Sequence, residues 1–334
     1  MKDKIIIAVD AMGGEGAPKK VIDGIIFHNK KINNIFYKIF GDKNQIEKLF
    51  PNNFDKNIYE IVHTDEKVLD DDSALEGAKK SKKTSMWMAV ESVKNKDSDI
   101  VISAGNTGAL FVISKLNFKM IENIDKPALS GLWPNKIGMN IVLDLGANVE
   151  CSEKNLIDFC IMGSSLYKSL FPGEKSKVAL LNIGSEDFKG NETIRSAYQK
   201  LNSNNNYDFE FKGYIEGNHI MDGDVNVIVT DGFTGNVALK TAEGTANFIT
   251  KEIKKNMTSG ILGKILTLLN YKNLMNFKKR LDPRLYNGAI FIGLNSPVIK
   301  SHGSTDYIGF SHSLNVCKKI VQGDLINKIK SNIK

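Results

Sequence analysis

Short, nearly unbroken apolar runs alternate along the chain with longer stretches whose apolar residues recur every third or fourth position. The runs at residues 5–9, 35–40, 58–62, 100–103, 139–143, 178–182, 225–230 and 289–294 have the length and β-branched content of strands. The amphipathic stretches at 19–29, 43–50, 85–95, 108–116, 153–170, 191–201, 237–255 and 304–322 have the period of helices with one face against a core. Strands separated by helices predict βαβ units, and strands with no polar face predict burial on both sides. The expected fold is α/β: a Rossmann-like, mostly parallel sheet with helices on both faces. It would form one domain over residues 1–334, with room for two lobes sharing a cleft. No internal repeat and no long linker is visible.

The loops at the strand ends are more specific than the strands themselves. Asp10-Ala-Met-Gly-Gly, Ser103-Ala-Gly-Asn-Thr-Gly-Ala, Asp144-Leu-Gly-Ala-Asn, Asn182-Ile-Gly-Ser-Glu, Thr230-Asp-Gly-Phe-Thr-Gly-Asn and Ser301-His-Gly-Ser-Thr-Asp each join glycine to a short polar residue at a strand end. In open α/β sheets ligands bind outside the carboxyl ends of strands, and glycine lets backbone N–H groups come close to them. Helices starting near Asn106, Thr234 or Ser304 would aim their positive N-terminal ends at the same place. One such loop is usually an ordinary turn or cap. Six together predict an anion-binding cleft with all the loops on one rim of the sheet. Its candidate lining is Asp10, Gly13, Gly14, Asn106, Thr107, Gly108, Asn191, Asp231, Gly232, Thr234, Asn236 and Ser304.

Composition removes other chemistries. The chain is 42% hydrophobic and 25% charged, which excludes a disordered chain, and no apolar run approaches the roughly 18 residues of a membrane span. The apolar stretch at the start is short and meets Asp10 at once, which predicts a cytoplasmic protein. The three cysteines are scattered and odd in number, as in a reducing compartment, and the five histidines lack zinc spacing, so no metal is expected. Gly13-Gly-Glu-Gly-Ala-Pro is not a dinucleotide fingerprint, and neither a P-loop nor a G-x-S-x-G elbow is present. Direct attack by a bound anion is the more natural chemistry.

The net charge of +7 is not spread evenly. The window 251–284 holds nine basic residues and two acidic ones, which accounts for the whole excess. Within it, Ile261, Leu262, Ile265, Leu266 and Leu269 fall at helical spacing around Lys264. A basic amphipathic helical insertion of this kind suits an anionic lipid surface or an acidic protein, and equally a dimer interface. Aromatics are not interleaved as nucleic-acid binding would require, since Tyr271 and Phe277 are the only ones there. No nucleic-acid partner is expected.

The loops, in this order, resemble one family, the bacterial PlsX-type phosphate acyltransferases. The likeness rests on Ala8-Val-Asp-Ala-Met-Gly-Gly, Ser103-Ala-Gly-Asn-Thr-Gly-Ala, Leu181-Asn-Ile-Gly-Ser-Glu-Asp-Phe-Lys-Gly-Asn-Glu, Val229-Thr-Asp-Gly-Phe-Thr-Gly-Asn-Val-Ala-Leu-Lys and Val298-Ile-Lys-Ser-His-Gly-Ser-Thr-Asp. Glu15, Asn287 and Thr305 depart from the family pattern. The resemblance implies a phosphotransacetylase-like fold, a homodimer and no cofactor. It implies conversion of acyl-acyl carrier protein and inorganic phosphate to acyl phosphate, feeding a downstream glycerol-phosphate acyltransferase and phosphatidic acid synthesis. It also implies work at the membrane periphery. Such a reaction needs a held phosphate, donors for the developing oxyanion and a proton for the leaving thiolate. Lys189, just past a strand end, and His302, between a strand and Gly303-Ser304, are the candidate catalytic residues. Asp231 would act through a neighbour, because a bare carboxylate repels phosphate. Lys79, Lys80, Lys82 and Lys83 form a second basic run that could face phosphate or the carrier. Two other readings compete: a phosphotransacetylase using acyl-coenzyme A on the same fold, and a non-enzymatic basic membrane or nucleic-acid adaptor, which leaves the six glycine loops unexplained.

Overall fold

The structure, a computed structural model, describes residues 4–204, 206–260, 267–280 and 282–333, the side chains of 276–280 excepted. Its first half runs β1 (Ile5–Asp10), α1 (Lys19–Asn29), β2 (Ile35–Gly41), α2 (Lys43–Glu47), β3 (Tyr59–His63), α3 (Ala74–Lys79), α4 (Ser85–Lys94), β4 (Ile100–Ser103) and α5 (Thr107–Phe118). Next come β5 (Ala128–Pro134), β6 (Met139–Leu143), α6 (Glu153–Leu170), β7 (Lys177–Asn182), α7 (Glu192–Ser203), β8 (Glu210–Glu216), β9 (Val227–Val229) and α8 (Gly232–Met257). After a helix at Tyr271–Arg280, β10 (Ala289–Ile292) and β11 (Val298–Lys300) return to the sheet. Helices Tyr307–Gln322 and Leu325–Asn332 close the chain.

The strands form one sheet in the order β3-β2-β1-β4-β11-β10-β5-β6-β9-β7-β8. Successive side chains on a strand point to opposite faces, and the core divides accordingly. Ile7, Val9, Ile100, Ile102, Ile141 and Leu143 enter one continuous cluster beneath α1, α6 and the Tyr307–Gln322 helix. Ala8 and Val101 face the other way with Met86, Leu110 and Phe291, while Val142 and Ile228 join Trp133 and Ile215 in a third cluster. Helices therefore cover both faces, as the unbroken apolar strands require.

The polarity of the sheet corrects one expectation. β3, β2, β1, β4 and β11 are mutually parallel, but β10, β5 and β6 are joined antiparallel in succession. These three reversals turn β6, β9, β7 and β8 to run opposite to β1. The six glycine loops thus do not share one rim. Those after β1, β4 and β11 lie on a first rim, and those after β6, β7 and β9 on the opposite one. Helix α8 links the two. It starts at the second rim and runs back along the sheet, where Ala238, Leu239 and Ala242 pack against the Trp133 cluster.

Three strands were not expected from the pattern: β5, β8 and β11. β5 carries Gly131 and ends in Pro134, β8 is an edge strand broken by Gly213, and β11 is three residues long. The Ser301-His302 loop therefore follows β11 rather than β10. The helix expected from 304 begins at Tyr307, capped by Asp306. In the basic segment, Ile261, Leu262, Lys264, Ile265 and Leu266 lie outside the described residues. Leu269 is described, and is exposed beside Leu268.

Candidate active site

The first rim is built around Asp10. In the β1–β4 register Asp10 pairs with Ser103, so the serine hydroxyl reaches Asp10 Oδ2 at 2.6 Å. Ser85, the first residue of α4, donates to Oδ1 at 2.7 Å, and the Met12 amide adds a third bond at 3.3 Å. Burial pushes the Asp10 carboxyl up from its ordinary value, while the two hydroxyls, Met12 and the charge of Lys300 pull it back. Asp10 is fully enclosed and serves as an anchor for the loop rather than as a ligand-facing group.

That anchor lets three loops close on one another. A Cβ at Gly13 would lie 2.6 Å from the Gly105 nitrogen, and one at Gly14 would lie 2.6 Å from the Ala104 carbonyl oxygen and 2.8 Å from Lys20 Nζ. Gly14 also has φ +83°, a conformation that L side chains rarely adopt. The Gly303 carbonyl accepts from the Glu15 amide at 3.0 Å and from Lys20 Nζ. Lys300 Nζ donates to the carbonyls of Ser301 and, at 3.4 Å, Ala104. Burial lowers the pKa of both lysines, that of Lys300 to about 8 with a further push from Lys20.

His302 stands at the mouth of this junction. Its Nδ1 accepts from the Ser304 amide at 3.3 Å and lies 3.0 Å from the Ser304 hydroxyl, so the neutral ring carries its proton on Nε2. Burial and the Lys300 charge hold its pKa below the usual 6.5. Glu243 and Lys240, on α8, also act on it, so the long helix brings the second half of the molecule to this histidine. Asn287 holds the loop from below: its Oδ1 accepts from the His302 amide and its Nδ2 donates to the Ser301 hydroxyl, both at 2.9 Å. This departure from the family pattern thus shapes the loop directly.

The remaining expected residues are mostly caps. Asn106 Oδ1 accepts from the Ala109 amide, and its Nδ2 reaches the carbonyls of Asp70 and Asp72, tying the 69–72 loop to the rim. Its side chain is thereby committed. Thr107 is exposed at the start of α5, and Gly108 leaves room for Ala74 of α3. On the second rim Asp231 accepts from the Thr234 amide at 2.8 Å and its hydroxyl at 2.9 Å, and Asn191 caps α7 through Ile194. Gly232 and Gly235 let α8 start against the Asp144 loop, where a Cβ at Gly235 would fall 1.9 Å from the Asp144 carbonyl oxygen. Asn236 stands beside Gly146. Asp144 itself is buried and collects amides from Leu129, Gly146, Ala147 and Asn148. Lys189 also belongs to this rim. Its ammonium lies over the Phe188 ring, and its loop follows β7, whereas that of His302 follows β11. The two expected catalytic residues are therefore on opposite rims.

Comparison with known proteins decides the family. The family described as "Fatty acid synthesis protein" matches residues 5–328. A phosphate acyltransferase from Pelagibacter ubique (strain HTCC1062) is 70% identical over 333 residues, covering 100% of both chains. The chain belongs to the phosphate acyltransferase family. Another phosphate acyltransferase, from Caulobacter vibrioides, is 40% identical over 100% of this chain and 93% of its own. Among solved structures, the EutD phosphotransacetylase from Staphylococcus aureus matches with TM-score 0.63 at 14% identity, covering 96% of this chain and 94% of its own. A phosphotransacetylase from Streptococcus pyogenes matches equally well at 15% identity, over 97% and 94%. These likenesses show a phosphotransacetylase-like α/β fold.

Pattern reading passed over Lys20, Lys300 and Asp70. The available signal was Lys300 itself, a lysine in an otherwise apolar strand covered on both faces. Lys20 gave none, because a lysine in the first turn of a helix reads as solvated surface. Among the described residues no group of three metal-ligating side chains is assembled.

Proposed function

We propose that the chain transfers the acyl group of an acyl-acyl carrier protein thioester to inorganic phosphate at the first rim, giving acyl phosphate for phosphatidic acid synthesis. The observation that carries this reading is the closure of the Gly13–Gly14, Ala104–Gly105 and Ser301–Ser304 loops around buried cations, with His302 at the opening. A phosphate oxygen attacks the thioester carbonyl, the tetrahedral oxyanion collapses, and the C–S bond breaks to release the carrier's thiolate, which takes up a proton. Phosphate is itself the nucleophile, so no serine or cysteine nucleophile is needed. Neutral His302 presents Nε2–H, a fixed donor for the oxyanion or a proton source for the thiolate. Lys189 is given no step, because its loop faces the other rim.

The carrier, the dimer and the membrane complete the proposal. Phe248, Ile249 and Ile253 on α8, and Leu268, Leu269 and Tyr271 beyond it, are apolar or aromatic residues left exposed in a lysine-rich stretch. Exposed apolar residues among lysines suit a second copy or an anionic lipid surface. Among the described residues no helix is long and apolar enough to cross a membrane. The reaction is tested by incubating the protein with phosphate and either palmitoyl-carrier protein or palmitoyl-coenzyme A, trapping acyl phosphate with hydroxylamine. Product from the carrier thioester supports the proposal, and product from coenzyme A alone replaces it with a phosphotransacetylase. Co-sedimentation with anionic vesicles, weakened by salt and by Leu269→Glu, tests the membrane contact.

A further inference from the structure

Lys20 and Lys300 are each more than nine-tenths buried, and among the described residues neither has a carboxylate within 4.0 Å. Their ammonium groups donate only to backbone carbonyls: Gly303 for Lys20, Ser301 and Ala104 for Lys300. Both lie beside the Gly14–Ala104 approach and act on each other electrostatically. The Ala104 carbonyl oxygen and Lys20 Nζ would lie 2.6 and 2.8 Å from a Cβ on Gly14, and Lys300 Nζ is 3.4 Å from that carbonyl. A buried charge is costly unless an opposite charge or strong hydrogen bonds compensate it, and two like charges together are worse. Carbonyl dipoles meet part of that cost, and the carboxylates of Glu15, Asp70 and Asp10 offset more of it from a distance, but none pairs directly with either ammonium.

We propose that Lys20 and Lys300 form a paired-ammonium seat for a tetrahedral oxyanion, which in the reaction proposed above is inorganic phosphate. The seat rests on that reaction only for the identity of the anion. Its surroundings set the charge the anion meets. From β1 comes Asp10, spent on Ser85 and Ser103; from the loop after Gly14 comes Glu15 and from the 69–72 loop Asp70, both favouring the charged form of Lys20; from the 301–304 loop comes His302, whose positive form the two lysines disfavour. A bound dianion stabilises the charged form of Lys300, whose pKa otherwise sits at about 8. Binding above that pH is then accompanied by proton uptake, and affinity falls as pH rises.

The test is calorimetric titration of the full chain with inorganic phosphate between about pH 8 and pH 10, where phosphate is a dianion throughout and Lys300 loses its proton. The wild type should bind, with affinity decreasing and proton uptake increasing along that range. Lys300→Met and Lys20→Met should each weaken binding about tenfold or more, the loss expected for one charge-assisted contact. Affinities within about twofold of wild type in both variants, or no phosphate binding by the wild type, overturn the seat. Circular dichroism and thermal unfolding check folding; if one variant does not fold the other decides, and if neither folds, a pH-independent wild-type affinity overturns the proposal. Pair-dependent binding without acyl-phosphate formation from any thioester leaves the seat and removes the reaction. Turnover with an unchanged phosphate KM in both variants does the reverse.

Discussion

Ser103 donates its hydroxyl hydrogen to Asp10 Oδ2 at 2.6 Å, and the two residues are register partners at the carboxyl ends of neighbouring parallel strands. The bond converts strand pairing into loop position, because the chain turns into the Gly13–Gly14 loop directly after Asp10 and into Gly105 directly after Ser103. Asp10→Ala should therefore strand two buried hydroxyls, Ser85 and Ser103. The expected loss is about 2–4 kcal/mol in urea unfolding, from an unsatisfied-group cost of about 1–3 kcal/mol each that does not add fully. A loss well under 1 kcal/mol would contradict the anchoring role.

Two glycines in the same loop separate strain from contact. Gly14 and Gly16 both have positive φ, but a Cβ at Gly16 meets nothing within 4 Å, whereas one at Gly14 meets the Ala104 carbonyl and Lys20. Gly16→Ala should cost only the left-handed penalty, about 1–2 kcal/mol, with the phosphate KM little changed. Gly14→Ala should in addition raise the phosphate KM, about tenfold or more, by pushing Lys20 and Ala104 apart. Equal kinetic effects in the two variants would show that the close approach does not matter.

His302 is held neutral by burial and by Lys300, so the acid limb of kcat/KM should inflect below the ordinary histidine value of 6.5. Acidification places a proton on Nδ1, breaks the Ser304 contact and adds a third cation beside the lysines, so activity is lost as pH falls. Lys300→Met removes one positive neighbour and should move the limb upward. His302→Ala should lower kcat/KM by about a hundredfold or more, in the range for a general acid or oxyanion donor. Lys189→Ala should stay within a few-fold of wild type, and a loss as large as that of His302→Ala would return Lys189 to the mechanism.

A second histidine governs stability rather than turnover. His28 is buried with Nδ1 2.7 Å from the Tyr37 hydroxyl, and burial, Lys318 and His312 lower its pKa to about 4. Below pH 6.5 the unfolded chain takes up a proton that the folded chain refuses until about pH 4. Stability should fall across that window by about 3 kcal/mol from this group. Urea unfolding of the wild type and His28→Phe at both ends of the window measures it. The variant should lose less on acidification, and an identical loss would contradict the assignment.

Much of the fold was legible because its physics is local. α1 and α6 fall where the apolar period placed them, and β4 and β6 run over the expected residues. The polarity of the second half was not legible. It depends on β10, β5 and β6 pairing antiparallel, and two of the strands at that junction, β5 and β11, are too short or too interrupted to show in a hydrophobic pattern. The site was legible as a set of loops but not as a set of contacts. Asn106, Asn191 and Thr234 carry the residue types of both caps and ligands, and only their hydrogen bonds decide between the two. Lys300 was passed over because reading a lysine as solvated is correct nearly everywhere except on a strand covered from both sides.

The most direct measurement of where the chemistry sits is a crystal structure of the protein grown or soaked in phosphate or sulfate. A tetrahedral ion should appear at the first rim, within hydrogen-bond reach of the Gly13–Gly14, Gly105 and His302–Ser304 loops. An ion bound instead at the loops after β6, β7 and β9, with the first rim empty, would contradict that assignment.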